Sequence, residues 1–283
     1  MTRLLVLGGS WFLGHAVVDQ ALACGWEVTT FRRGRSGGDA AGAVTVRGDR
    51  TDAEDLARLA DAGPWDAVVD TSGFVPREVL AVARVLEPVV RRYVFVSTVS
   101  VYEGWPTEPL TEQSAVLDCP ADGGPDVGYD GDPGPSVYGF TKSGSERAVT
   151  ETLGAGRSVV LRPGVIIGPR EYVGRVPWWL RRVARGGRVL APGSPHRTIQ
   201  PVDVRDVADF ALRTATGPVG TYNVTASGCD TMGGFLDSCR EITGSGAQFE
   251  WITDERWLSA QGVRQWTELP LWRTYRGTWA VDA

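Results

Sequence analysis

Leu4-Leu5-Val6-Leu7 runs directly into Gly8-Gly9, and apolar residues then recur at helical spacing from Leu13 to Cys24 before a second β-rich run, Glu27 to Phe31. No other feature narrows the fold so far. A short apolar strand, a glycine turn and a helix form the first part of a β-α-β unit, which the next strand completes. Further strands are predicted at Ala43 to Arg47, Ala67 to Asp70, Tyr93 to Ser97 and Ser158 to Leu161. Helical stretches at Asp52 to Ala60, Pro76 to Leu86 and Val137 to Leu153 lie between them. That alternation predicts an α/β chain with a doubly wound parallel sheet.

After Pro163 the sequence becomes rich in Arg, Gly and Trp, with shorter elements. Helices are expected near Pro177 to Arg185, Val204 to Thr214, Met232 to Ile242 and Asp254 to Gln261, and strands near Arg188 to Leu190 and Thr198 to Gln200. We therefore divide the chain into a first domain, 1–162, and a smaller carboxy-terminal lobe, 163–283, interleaved with it. Glu103 to Pro135 carries eight acidic and no basic residues with many Gly and Pro, which reads as a long surface loop, either merely solvated or a lid.

Composition excludes several functions. Four scattered cysteines without a C-x-x-C pair, and only His15 and His196, make neither a disulfide scaffold nor a metal site, so no metal is expected. A net charge of −5 offers no basic footprint for nucleic acid. The apolar run at Leu4 is too short for a signal sequence or membrane span, and a cytoplasmic protein is expected. Of the 29 basic residues 28 are arginine, a bias of G+C-rich, here bacterial, coding, so the single Lys142 stands out. An ammonium is a compact point charge that a planar guanidinium does not replace where chemistry needs it.

Three groups of residues carry chemistry. Gly8, Gly9, Ser10, Trp11, Phe12, Leu13 and Gly14 sit where a dinucleotide pyrophosphate would meet the amides of a helix N-terminus. Tight strand-to-helix turns also use glycine for steric reasons alone. Arg32, Arg33 and Arg35 close the second strand in place of the acidic residue that would hold a ribose 2′-hydroxyl, which favours NADP(H) over NAD(H). Tyr138 and Lys142, four apart on a predicted helix, share a face, and the ammonium is expected to lower the phenol's pKa so that it exchanges a proton with a substrate oxygen.

The glycine turn, Val94 to Tyr102, the Tyr138/Lys142 pair, Leu161 to Pro169 and Pro201 to Ala208 occur in one order that resembles the extended short-chain dehydrogenase/reductases of the NAD-dependent epimerase/dehydratase group. The resemblance implies a Rossmann-type fold with a substrate lobe. It assigns Thr98, Tyr138 and Lys142 as catalytic, and gives Asp49, Arg50, Thr71, Ser72, Gly73, Ser97, Lys142, Pro163, Gly164 and Val165 to the cofactor. Thr98, Trp178, Trp179 and Arg197 would meet substrate. Trp11 replaces the family's middle glycine, as in a subgroup with the loop G-G-T-R-F-L/I-G. Val99-Ser100 stands where sugar dehydratases carry Asp-Glu, and relatives continue past Val281-Asp282, so part of the lobe is expected to lie beyond this chain.

The expected function is an NADP(H)-dependent oxidoreductase acting on a carbonyl or secondary alcohol of a small metabolite. The alternatives are a sugar or nucleotide-sugar epimerase with tightly bound NAD(P), and a non-catalytic RNA-binding relative. A homodimer remains open.

Overall fold

The computed structural model describes residues 1–35, 37–105, 110–127, 135–265, 268–272 and 281, the side chains of Pro135 and Ser136 excepted. In chain order the main elements are β1 (Arg3–Leu7), α1 (Phe12–Ala23), β2 (Glu27–Arg32), β3 (Val44–Arg47), α2 (Ala53–Asp61), β4 (Trp65–Asp70), α3 (Pro76–Leu86) and β5 (Val90–Val96). Then come α4 (Pro135–Leu153), β6 (Ser158–Pro163), β7 (Val165–Ile167), α5 (Arg175–Ala184), β8 (Arg188–Pro192), β9 (Thr198–Ile199), β10 (Pro201–Asp203) and α6 (Val204–Thr216). The chain closes with β11 (Gly220–Val224), β12 (Asp230–Thr231), α7 (Met232–Thr243), β13 (Gln248–Ile252) and α8 (Glu255–Ala260).

Seven strands form one parallel sheet in the order β11-β6-β5-β4-β1-β2-β3. Its central strands β1, β4, β5 and β6 are largely buried on both faces, which explains why they read as continuous apolar runs rather than alternating ones. Leu4, Val6, Val94 and Val96 face α1 and α6, whereas Leu5, Leu7, Tyr93 and Phe95 face α2, α3 and α4. The order reverses between β1 and β4, and in such sheets the carboxyl ends of the strands at that switch open a crevice for ligands.

Beyond β6 the chain builds a second core around Trp179, Leu236, Leu258 and Trp272, with β8 and β13 as a parallel pair. Residues 204–224 return to the main sheet, where α6 packs on α1 and β11 becomes the edge strand beside β6. No helix among the described residues is long and apolar enough to cross a membrane, and no cluster of His, Cys, Asp or Glu among them could hold a metal.

The expected surface loop at 103–135 is irregular and in places exposed over its described parts, and is also pinned to the body. Tyr102 bridges to Val116 and Leu110 to Val281, Leu117 N–H donates to Val101 O at 2.8 Å, and Cys119 is buried. Residues 106–109 and 128–134 of that loop, like Trp266 and Trp279, lie outside the described residues.

Candidate active site

A cavity of about 760 Å³ follows the crevice at the sheet's switch point. At its centre Gly8 and Gly9 turn the chain with φ of 111° and 90°. Space as well as conformation demands glycine: a Cβ on Gly8 would stand 2.7 Å from Thr71 Oγ1, and one on Gly14 2.7 Å from Gly9 N. The result is a tight cradle in which α1 begins at Phe12 without a side-chain cap, its first residues, Phe12 to Gly14, lining the cavity. Trp11 and Tyr172, both exposed, bridge the mouth with ring centroids 5.2 Å apart.

One end of the cavity is lined by Arg32, Arg33, Arg35, Asp49 and Arg50. Two of these arginines are engaged inside the fold. Arg32 is buried and pairs with Asp39 while donating to Gly37 O at 3.1 Å. Arg50 pairs with the fully buried Asp70 at 2.7 Å and reaches Ser72 Oγ at 3.3 Å. Arg33 and Arg35 are exposed at the rim, and Arg33 lies 4.0 Å from Asp49. The Asp49 carboxyl sits below its ordinary range, chiefly through the Thr51 amide, with Arg33 and Arg35 adding to the effect.

At the other end Thr98, Tyr138 and Lys142 come together. Gly139 makes this approach feasible, because a Cβ there would overlap the Ser100 carbonyl. Helix α4 thereby lies against the Val99–Val101 turn and presents Tyr138 to Thr98. Thr98 Oγ1 accepts the Ser100 N–H at 3.2 Å, and its hydroxyl favours the ionised form of the Tyr138 phenol. Although 41% of Tyr138 is open, the cavity walls crowd its ring. That burial, reinforced by Tyr172 and opposed by Thr98, pushes the phenol up to about 12.

Lys142 is seated differently from the expectation that its ammonium lowers the phenol's pKa. Nζ donates to Gly73 O at 2.8 Å and Val96 O at 2.5 Å and lies 4.1 Å from the centre of the Phe95 ring. Burial brings the ammonium down to about 7 against the attraction of Asp70 and Glu146.

Ser97, Pro163, Gly164 and Val165 also line the cavity, with the Ser97 hydroxyl bonded to Glu146. The tryptophans expected at the substrate do not: Trp179 is fully buried with Nε1 donating to Pro270 O at 2.7 Å, and Trp178 stacks edge-on against it. Their W-W pair on an amphipathic helix serves the smaller lobe's core. Arg197 pairs with Glu255 at 2.5 Å, outside the cavity wall among the described residues. In their place Phe74, Trp105, Tyr172 and Val173 wall the space beside Tyr138. Tyr172 and Val173 sit in an irregular loop that carries no periodic signal, whereas Asp70, an acid ending an apolar strand, was visible in the sequence.

Residues 4–225 match the model of the NAD dependent epimerase/dehydratase family. The chain belongs to that family. A curated relative, the chloroplast stem-loop binding protein of 41 kDa b from Arabidopsis thaliana, is 23% identical over 262 residues, covering 86% of this chain and 63% of its own length. Among solved structures, UDP-glucose 4-epimerase of Thermotoga maritima with UDP-glucose superposes with a TM-score of 0.67 at 22% identity, over 89% of this chain and 85% of that one. Bordetella bronchiseptica WbmG with NAD and UDP gives 0.70 at 20% identity, over 87% and 80%. The dTDP-glucose 4,6-dehydratase of Bacillus anthracis with NAD gives 0.71 at 19%, over 90% and 85%. For a member of this family the cradle fits a dinucleotide: the glycine turn leaves no room for side chains, and the uncapped amides of α1 suit a pyrophosphate.

Proposed function

We propose that the protein is an NADP(H)-dependent oxidoreductase that reduces a carbonyl, or oxidises a secondary alcohol, of a small and partly apolar metabolite. One observation carries the reading: a single cavity joins the glycine cradle and the Arg33/Arg35 rim to Thr98, Tyr138 and Lys142. Gly8 to Gly14 and Thr71 would hold the pyrophosphate, Arg33 and Arg35 a 2′-phosphate, and Pro163 to Val165 the nicotinamide side. When bound, the cofactor supplies hydride exchange at the nicotinamide ring. Thr98 orients the reacting oxygen by a hydrogen bond, and Tyr138 gives that oxygen a proton or takes it. A neutral phenol at about 12 is a donor ready at neutral pH, and the charged Lys142 lining the same cavity would hold the cofactor beside it. Phe74, Trp105, Tyr172 and Val173 suit an apolar substrate body.

Equilibrium titration with NADPH and NADH separately tests the reading. NADPH is expected to bind more tightly, and the preference to vanish in Arg33→Ala with Arg35→Ala. Equal affinities in the wild type refute the NADP(H) preference, and no binding of either refutes the oxidoreductase.

A sugar epimerase is the second reading, favoured by the Trp11–Tyr172 bridge across the mouth, which suits a cofactor retained through the cycle. Cofactor that stays with the protein through purification and is never consumed would select it. An RNA-binding role has only the chloroplast relative's name behind it, and the net charge of −5 opposes it.

A further inference from the structure

Beneath the cavity floor lies a cluster of buried polar groups. Asp70, at the carboxyl end of β4, is fully buried and accepts from Arg50 Nη2 at 2.7 Å, Ser72 N–H at 2.9 Å and the Tyr93 hydroxyl at 3.0 Å. Three donors on one carboxylate is an arrangement for holding charge. Gly73 links this cluster to Lys142: its carbonyl takes the ammonium, while a Cβ on the same residue would stand 3.0 Å from Asp70 Oδ2.

We propose that Asp70 is a positioning residue for the reaction: locked by Arg50, its carboxylate keeps the Lys142 ammonium charged and seated on Gly73 O beside Thr98 and Tyr138. The inference rests on the roles assigned above to Tyr138 and Lys142. The ammonium, near the Phe74 and Phe95 rings and bonded to two carbonyls, makes no direct ion pair among the described residues and depends on a charge further off. The charges that act on it are Asp70 on β4 and Glu146 one turn further along α4, which favour the ammonium, and Arg50 after β3, which opposes it. Glu146 is already committed to the buried Arg162, with contacts of 3.0 and 2.6 Å, and to Ser97. Arg50 in turn feels Tyr93 of β5 and Glu78 of α3. Burial pushes the Asp70 carboxyl up, but Arg50, the Ser72 amide and Lys142 outweigh it and hold the acid below its ordinary range. Burial brings Lys142 down to about 7 even so, and without Asp70 its charge would be lost at lower pH still.

Because Lys142 is the only lysine, protein grown on carbon-labelled lysine gives one side-chain resonance, whose pH titration reports this residue alone. Asp70→Asn is expected to lower its midpoint by about 1 to 3 pH units, the range for losing a nearby opposite charge. Arg50→Gln, which removes a like charge, is expected to raise it, and serves alone if Asp70→Asn does not fold. A midpoint unchanged in whichever variant folds, or a rise with Asp70→Asn, overturns the proposal. Those results leave Tyr138 as acid/base untouched, whereas full turnover by Tyr138→Phe would remove that role even if Lys142 titrates as expected.

Discussion

Gly139 offers a test in which helix propensity and packing predict opposite signs. It lies inside α4, where replacing glycine by alanine ordinarily stabilises a helix by about 1 kcal/mol. Here a methyl group would stand 2.8 Å from the Ser100 carbonyl carbon and nearer still to its oxygen, and both atoms belong to backbone. Ordinary contact requires α4 and the Val99–Val101 turn to part by a distance on the order of 1 Å, and overpacking of this kind costs about 1 to 3 kcal/mol, more where backbone must move. Gly139→Ala is therefore expected to lose about 2 kcal/mol net in urea unfolding. Gly246→Ala, with nothing within 4 Å of the added carbon, should be neutral or gain up to about 1 kcal/mol. The same displacement draws Tyr138 from Thr98, and a misplacement near 1 Å costs about 100-fold in turnover. A Gly139→Ala protein as stable as the wild type, or more so, refutes the claim that this glycine sets the distance between the two catalytic candidates.

Tyr138→Phe should lower turnover by about 10²- to 10⁴-fold with NADPH affinity retained, as checked by steady-state kinetics beside the binding titration. Lys142→Arg should also reduce turnover severely although it keeps the charge, because a guanidinium does not fit the seat between Gly73 O and Val96 O. Glu146→Gln leaves Arg162 charged and buried without its partner, and should cost about 3 to 5 kcal/mol of stability by urea unfolding; a loss under about 1 kcal/mol would contradict the buried pair.

The main sheet was legible because its central strands β1, β4, β5 and β6 are largely buried and read as apolar runs, β1 ending directly in Gly8. Helix α3 begins and ends where Pro76 at its first position and Leu86 place it. The short β7, β10 and β12, of two or three residues each, were missed, as were two strands whose pairing is distant: Gly220–Val224 joins β6, and Gln248–Ile252 joins β8. Neither run carries enough local pattern to stand out, since each is fixed by the neighbour it meets. The glycine turn that lines the cavity was legible for the opposite reason, as backbone geometry at Gly8, Gly9 and Gly14 leaves no choice of side chain. The cavity walls beside Tyr138 were not, because Phe74, Tyr172 and Val173 come from irregular segments placed only by tertiary packing.

The Tyr138/Lys142 pair marks where sequence reasoning stops short. A four-residue spacing puts two side chains on one face of a helix but says nothing of how deep each lies. Tyr138 in the first turn looks into the cavity, whereas Lys142, one turn further along, has reached the sheet edge and finds carbonyls from β5 and the β4–α3 segment. Depth reverses the simple expectation. The ammonium pays for its burial with a pKa brought down to about 7, and the phenol, crowded by protein, rises to about 12. A proton then resides on Tyr138 throughout the neutral range while the charge on Lys142 is adjustable, so the pH dependence of the site should follow the lysine. Turnover by a reductase of this design is expected to fall as pH rises through about 7, with Asp70→Asn moving that limb to lower pH. A limb that stays in place in Asp70→Asn would assign it to another group and separate the proton donor from the lysine beneath it.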